Sequence, residues 1–369
     1  MKRTEQNIKK KKVLVAMSGG VDSSVAALLM KKNGYEVFGA FMKCFSDTKN
    51  NLTGECAWRD ELRMARRIAA KLNIQLIMLD FEKEYKKHII ESMFKAYTEG
   101  KTPNPDILCN KIIKFPLLWK AAKKLKIPLI ATGHYARIKK TSNGFQLLTG
   151  LDFEKDQSYF LAEISQEDLS HTIFPLGNHT KSQVRQIAKA NNFPNWDKQG
   201  TRGICFVGRI PMQKFLKQKI KEKRGKIIST KGELIGMHPG SAFFTIGQKL
   251  GEHLGVIINK PPELAQKRFY VAEKRKGNIL VAVPENHSLL KRKRIIIKKL
   301  HLINQKVKIP LKLKARIRHP GIFHSGKLKK VNSGWEFRFD KLIKAIAEGQ
   351  YIVFYKDQEV MGCGEIILR

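Results

Sequence analysis

The chain has 369 residues, 42% of them apolar, and carries 71 Lys and Arg against 32 Asp and Glu, a formal net charge of +39 at pH 7. That length fits two or three domains and buries a sizeable core without disulfide staples, and the apolar fraction excludes a largely disordered chain. A positive excess of this size repels itself unless it meets a polyanion, which makes nucleic acid the leading partner, and five cysteines, an odd number in a long chain, exclude a secreted disulfide scaffold.

Val13–Met17 is a short, wholly apolar run of the kind that forms a buried parallel strand. It follows a lysine run but is too short for a signal h-region. No stretch approaches the roughly 18 apolar residues that span a bilayer, so a cytoplasmic protein without a membrane segment is expected. Ser18-Gly19-Gly20 breaks the strand, Ser24–Lys32 has helical composition, and Asn33-Gly34 stops it. Tyr35–Met42 is a second strand, Leu62–Leu72 a helix, Gln75–Asp80 a third strand, Lys83–Thr98 and Ile113–Leu125 two more helices, and Pro128–Ala131 a fourth strand. This alternation predicts an α/β, doubly wound, mostly parallel sheet with helices on both faces. Asn143-Gly144 reads as a hairpin turn. Thr180 with Gln183 is a capping box for a helix that ends at Asn191-Asn192.

From about Gly225 short strands with frequent turns take over: Lys226–Ser229, Phe243–Ile246, Phe269–Ala272, Ile279–Val283, Leu311–Ile317, Trp335–Phe339 and Tyr351–Tyr355. The expected organisation is a catalytic domain over 1–209, a small β-rich domain over 210–285 and a C-terminal β-barrel over 286–369, with the basic Lys291–Lys299 segment at the junction of the last two.

Three segments carry chemistry. Ser18-Gly19-Gly20-Val21-Asp22-Ser23-Ser24 follows a strand and opens a helix. Glycines let the backbone approach a phosphate, and helix N-terminal amides face an anion. Asp22 can hold a bridging Mg²⁺, and no Walker-type lysine is present. Thr102-Pro103-Asn104-Pro105-Asp106-Ile107-Leu108-Cys109-Asn110 reads as an extended segment stiffened by two prolines, either presenting Asp106 and Cys109 from a fixed frame or serving as a rigid inter-helix loop. Gly203-Ile204-Cys205-Phe206-Val207-Gly208 sets a cysteine in a glycine-flanked bend, with Arg202 nearby to favour a thiolate. Taken alone, the last is more often core than chemistry.

The first string resembles the pyrophosphate loop (PP-loop) of the N-type ATP pyrophosphatase superfamily. Together, the three segments resemble the bacterial tRNA-specific 2-thiouridylase family, MnmA/TrmU. So do Gly39-Ala40-Phe41-Met42, Thr132-Gly133-His134-Tyr135-Ala136-Arg137, Lys155-Asp156-Gln157-Ser158-Tyr159-Phe160, Thr245-Ile246-Gly247-Gln248 and Gly349-Gln350-Tyr351-Ile352-Val353-Phe354-Tyr355. The resemblance spans nearly the whole chain. It departs at Gln199-Gly200-Thr201-Arg202, at Lys249-Leu250-Gly251-Glu252-His253 and at Ile317, where the family usually has an aromatic residue.

The resemblance implies a Rossmann-like PP-loop fold and ATP-dependent 2-thiolation of the wobble uridine of tRNA. ATP, with Mg²⁺ at Asp22, would lie on Ala16, Met17, Ser18, Gly19, Gly20, Val21, Asp22, Ser23, Met42 and Gly133. Asn104, Pro105 and Asp106 would meet the target base, with Asp106 also catalytic. His134, Lys155, Asp156, Gln157, Arg316 and Gln350 would contact tRNA at its anticodon loop. Cys109 would be the nucleophile and Cys205 the persulfide carrier, the two closing a disulfide in one of two possible routes. A cysteine desulfurase or a sulfur-relay carrier would supply the sulfur, and the protein would act as a monomer. Other readings are an adenylating enzyme for another tRNA base or a small molecule, a non-catalytic basic RNA-binding protein, and an iron–sulfur thiolase.

Overall fold

The computed structural model describes residues 10–46, 57–200, 211–259, 267–304, 309–332 and 334–368. The chain divides into two units. The first holds residues 1–88, 106–209 and 358–360; the second holds 89–105, 210–357 and 361–369. Cys56, Cys205 and the whole Gly203–Gly208 bend lie outside the described residues.

The first unit starts with β1 (Lys12–Ala16), α1 (Val21–Lys32), β2 (Glu36–Lys43), α2 (Ala57–Leu72) and β3 (Gln75–Asp80). Val13, Leu14 and Val15 are all fully buried, so β1 is covered on both faces, as a central parallel strand must be. In α2, Leu62, Ala65, Ile68, Ala69 and Leu72 recur at helical spacing and are buried, while Arg63, Arg66 and Arg67 face out.

The expected Lys83–Thr98 helix is broken into α3 (Glu82–Tyr85), a π-helical turn over Lys86–Ile90 and α4 (Glu91–Thr98), and the unit boundary falls within that turn. The extended segment expected around Asp106 is also corrected. Pro105 instead opens α5 (Pro105–Cys109), a second π-helical turn follows over Asn110–Lys114, and α6 (Phe115–Lys124) continues it. Proline is well suited to the first helical position, where its missing N–H would have no partner in any case.

There follow β4 (Ile130–Ala131), the hairpin β5 (Ala136–Thr141) and β6 (Gly144–Thr149), α7 (Gln166–Ser170), β7 (Thr172–Ile173) and α8 (Lys181–Ala190). The expected capping box is present: Gln183 N donates to Thr180 Oγ1 at 3.2 Å and Thr180 N donates to Gln183 Oε1 at 2.8 Å. Among the described residues the parallel sheet runs in the order β3-β2-β1-β4-β7. Chain order therefore reverses beside β1, which makes the gap between β1 and β4 the switch point of the sheet.

The second unit contains α9 (Met212–Leu216), β8 (Gly225–Ile228), β9 (Leu234–His238), β10 (Ile257–Ile258), β11 (Phe269–Arg275) and β12 (Ile279–Pro284), whose strands form a sheet in the order β10-β9-β8-β12-β11. Phe243–Ile246 is not a strand. Phe243 and Phe244 are both buried at the end of a tight turn, which alternating strand geometry does not allow for neighbours on a one-sided sheet.

The remaining strands are β13 (Lys291–Leu302), β14 (Leu311–Arg316), β15 (His324–Val331), β16 (Gly334–Lys344), β17 (Tyr351–Lys356) and β18 (Glu359–Ile367). They run β13-β16-β15-β14-β17-β18, and pairing of β13 with β18 closes them into an antiparallel barrel around Ile295, Leu313, Phe337, Phe339 and Phe354. The basic segment expected at a junction is thus the first barrel strand, with Ile295 and Ile297 turned inward.

Candidate functional site

The switch point sets the first part of the site. Val15 pairs with Ala131 of β4, Ala16 pairs with Ala40 of β2, and Met17 N donates to Ala40 O at 2.8 Å. The carboxyl ends of these strands therefore deliver the loop after β1, Met42 at the end of β2 and Gly133 just after β4 to one edge of the sheet. Gly133 is required by close approach, because a Cβ there would lie 2.9 Å from both Asp22 C and Ser23 N.

The loop is tied to itself. Ser18 N donates to Ser23 Oγ at 3.1 Å, and the Ser23 hydroxyl donates to Gly20 O at 3.0 Å. Ser24 Oγ donates to the same carbonyl at 2.9 Å. Gly20 caps α1 without a side chain, so the first-turn amides of α1 keep their donor capacity for an anion. Gly19 has φ +70°, and a Cβ on it would lie 2.3 Å from Glu61 O. Gly19→Ala is therefore expected to cost about 2–4 kcal/mol of stability through left-handed strain and backbone overlap, read from urea unfolding of the two proteins.

Tyr135 and several residues not singled out in the sequence complete this edge. Lys181, at the start of α8, donates to Asp22 Oδ1 at 2.6 Å, and Tyr135 Oη donates to the same oxygen at 2.7 Å. Burial, then the Asp22 charge, holds the Tyr135 phenol far above its ordinary range. Asn195 Nδ2 donates to Gly19 O at 3.1 Å and to Ser24 Oγ at 3.0 Å. Burial raises the Glu61 carboxyl, and the Lys198 ammonium opposes that rise. Two sequence signals pointed this way: the resemblance motif that contains Tyr135, and the capping box, which places Lys181 in the first turn of a helix. Asp22 offers a single carboxylate, and among the described residues no group of three His, Cys, Asp or Glu converges as a metal cage. A hard divalent cation fits here only if phosphate oxygens supply most of its ligands.

The loop after β6 is fastened to the same edge. Asp152 Oδ1 accepts from Glu154 N at 3.1 Å and Lys155 N at 3.2 Å, and Oδ2 accepts from Lys181 N at 2.8 Å. Lys155 points outward. Asp156 does not: it is fully buried, accepting from Gly150 N at 3.0 Å, Ser158 N at 3.1 Å and Ser158 Oγ at 3.0 Å. Gln157 Oε1 accepts from Tyr135 N at 3.0 Å. In this conformation Asp156 shapes the loop that displays Lys155.

Cys109 is fully buried on α5, three residues after Asp106 and so on the same helical face. Beyond it, His134 is buried against Phe115, with ring centroids 5.8 Å apart, and edge-on to Phe174 at 5.9 Å. Lys114 Nζ lies 3.3 Å from His134 Nε2, and Thr132 Oγ1 lies 2.7 Å from Nδ1. An ammonium can only donate, so Nε2 accepts and Nδ1–H donates to Thr132. Burial, reinforced by Lys114, lowers the imidazole pKa well below its ordinary 6.5. In this conformation both ring nitrogens of His134 are engaged by side chains of the protein. With the folded value below the unfolded one, the unfolded chain binds the extra proton as pH falls through 6.5. Stability from this group is present above that pH and is lost below it. His134→Gln is expected to flatten the fall in unfolding free energy between pH 7 and pH 5 by up to about 1.4 kcal/mol per pH unit, read from urea unfolding at each pH.

Asn104, Pro105, Arg316 and Gln350 belong to the second unit. Gln350 Nε2 donates to Thr102 O at 3.1 Å and Pro103 O at 3.3 Å, holding the segment that leads to Asn104. Arg316 is 2% exposed, its guanidinium 4.1 Å from the Phe323 ring centroid and 5.5 Å from that of Tyr355. The two rings hold the guanidinium in an aromatic clamp.

Residues 11–209 match the tRNA methyl transferase HUP domain family, 213–284 the tRNA methyl transferase PRC-barrel domain and 292–366 the aminomethyltransferase beta-barrel domain. A tRNA-specific 2-thiouridylase MnmA of Karelsulcia muelleri is 39% identical over 98% of this chain and 100% of its own. One from Vesicomyosocius okutanii is 40% identical over 97% of this chain and 98% of its own. Among solved structures, a 4-thiouridine synthetase–RNA complex with bound ATP aligns at TM-score 0.37 and 15% identity, over 56% of this chain and 50% of that one. That likeness is too distant to bear on function.

Proposed function

The chain belongs to the tRNA-specific 2-thiouridylase MnmA family, and on that premise we propose that it replaces O2 of the wobble uridine of tRNA with sulfur at the cost of ATP, releasing AMP and pyrophosphate. The observation that carries this reading is correspondence over 98% of the chain at 39% identity, with the PP-loop string intact at the sheet's switch point.

The α1 amides, with the Ser18 hydroxyl beside them, suit the phosphates of ATP. Lys181 supplies positive charge next to Asp22, where pyrophosphate charge develops. Mg²⁺ carried on the phosphates would neutralise charge there, with Asp22 as its protein ligand. Adenylation turns O2 into a leaving group. A persulfide on Cys205 attacks C2 and AMP departs. In one route the Cys109 thiolate attacks the Cys205 sulfur, leaving the outer sulfur on C2 and closing a Cys109–Cys205 disulfide. In the other, the Cys109 thiolate first attacks the Cys205 sulfur, closing the disulfide and releasing the outer sulfur as sulfide, which then attacks C2 and expels AMP. Asn104, Pro105 and Asp106 meet the flipped base; an external thiol reductant reopens the Cys109–Cys205 disulfide, and a desulfurase or relay carrier then reloads Cys205. In this reading 1–209 is catalytic, 210–285 bridges and 286–369 binds tRNA, and the protein acts as a cytoplasmic monomer.

Chromatography of the nucleotide products tests this reading. AMP and pyrophosphate formed only with tRNA present are expected; ADP as the main product would refute a PP-loop mechanism.

A further inference from the structure

The barrel's outer face carries a row of like charges that strand register alone creates. Arg294 on β13 pairs with Arg338 on β16, Arg338 pairs with Lys327 on β15, and Lys327 pairs with Lys312 on β14. Directly opposed residues on neighbouring strands project to the same face, and all four are exposed. Among the described residues, none of the four side chains forms an ion pair or hydrogen bond. Like charges set directly opposite one another destabilise a sheet, so the free barrel carries three unfavourable contacts in succession.

The acidic residues nearby do not cancel the row. Glu336 lies two positions from Arg338 but is held by Lys329 at 3.2 Å. Asp340, two positions the other way, leaves the row strongly positive. The β13 end opens into a cavity of about 320 Å³ lined by Arg292, Arg294, Ile296, Val331, Glu336 and Leu368. The pairing register slips between Arg292 and Arg294, where β16 carries the extra residues, and both arginines line that cavity.

We propose that this row and its terminal cavity bind the sugar–phosphate backbone of the substrate RNA, with the phosphates on Arg294, Arg338, Lys327 and Lys312 and one unpaired nucleotide in the cavity. Three strand spacings make the row about 14 Å long, enough to cover several consecutive phosphates of one RNA strand. The surface is separate from Arg316 and Gln350, whose side chains are occupied inside the barrel unit. The inference rests on the tRNA-thiolation reading and adds a surface to it.

The test is tRNA binding by full-length protein over a salt series, comparing wild type with the quadruple Gln variant R294Q/R338Q/K327Q/K312Q. The variant is expected to lose about 3 units of the log K against log salt slope, and about 10²–10³-fold in affinity at 0.1 M salt. Its Tm at low salt is expected to exceed that of wild type, because the opposed charges are gone; a lower Tm would contradict the unfavourable row. Ile296→Trp, which fills the cavity, is expected to weaken binding without changing the slope, and unchanged affinity would remove the cavity from the site. A variant that binds tRNA with the wild-type slope overturns the surface while leaving the thiolation reading standing. Salt-independent tRNA affinity in the wild type also overturns the surface, whereas wild type with no tRNA affinity at all overturns both. Binding to phosphatidylglycerol vesicles that the variant loses while keeping tRNA affinity would assign the row to a membrane and overturn the proposal.

Discussion

Cys109→Ser is expected to accept sulfur on Cys205 and to adenylate tRNA, yet to thiolate at least about 10³-fold more slowly than wild type, as loss of a nucleophile does. Cys205→Ser should form no protein persulfide and no thiolated product, with tRNA-dependent adenylation, read as pyrophosphate release, intact. The separation matters because Cys109 is fully buried on α5, where a structural role would be the ordinary reading. A core cysteine replaced by serine loses stability and all partial reactions together. A transferring cysteine loses one step and keeps the others. Cys44→Ser and Cys363→Ser are the matched controls, buried like Cys109 but outside any of the three chemical segments; both should keep thiolation. Gel-shift counting of persulfides, nucleotide chromatography and thionucleoside yield read the three steps apart. Thiolation by Cys205→Ser with protein persulfide as the sole sulfur source would refute the carrier assignment.

Asp22→Ala and Lys181→Met are each expected to lower adenylation by about 10²–10³, the usual loss when one preorganised charge is removed from a transition state. The two side chains meet at 2.6 Å, and Tyr135 joins the same oxygen at 2.7 Å. They act as one cluster, so the double variant should fall little below the worse single one. Affinity for tRNA should be unchanged in all three variants, since the cluster sits beside the phosphates of ATP. Single-turnover AMP formation and tRNA binding, measured on the same preparations, check both halves. Multiplicative losses in the double variant would show that Lys181 and Asp22 work separately.

What was legible in the sequence was local in character. The PP-loop string, the βα alternation and the Thr180–Gln183 capping box all depend on residues within a few positions of one another, and each is found where expected. What escaped was contact across the chain. Lys181 reaches Asp22 across 159 positions and Asn195 reaches Ser24 across 171, so no window could pair them. Local rules also competed. Two prolines around Asn104 read as extended chain, but Pro105 at a first helical position starts a helix instead. The run Lys291–Lys299 read as a basic junction because charge masks its alternation, yet Ile295 and Ile297 give it an inward face and closure of the barrel pairs it on both edges. Buried Asp156, His134 and Arg316 show a further limit. Motif resemblance marks that a residue matters, while burial decides whether it touches a ligand or shapes the residue that does.

Nucleoside mass spectrometry of tRNA incubated with the purified protein, ATP and a persulfide donor tests the central claim most directly. The account predicts 2-thiouridine at the wobble position, formed only with ATP and in step with AMP. Sulfur at C4 of uridine or on cytidine, or AMP released without any thionucleoside, would contradict it.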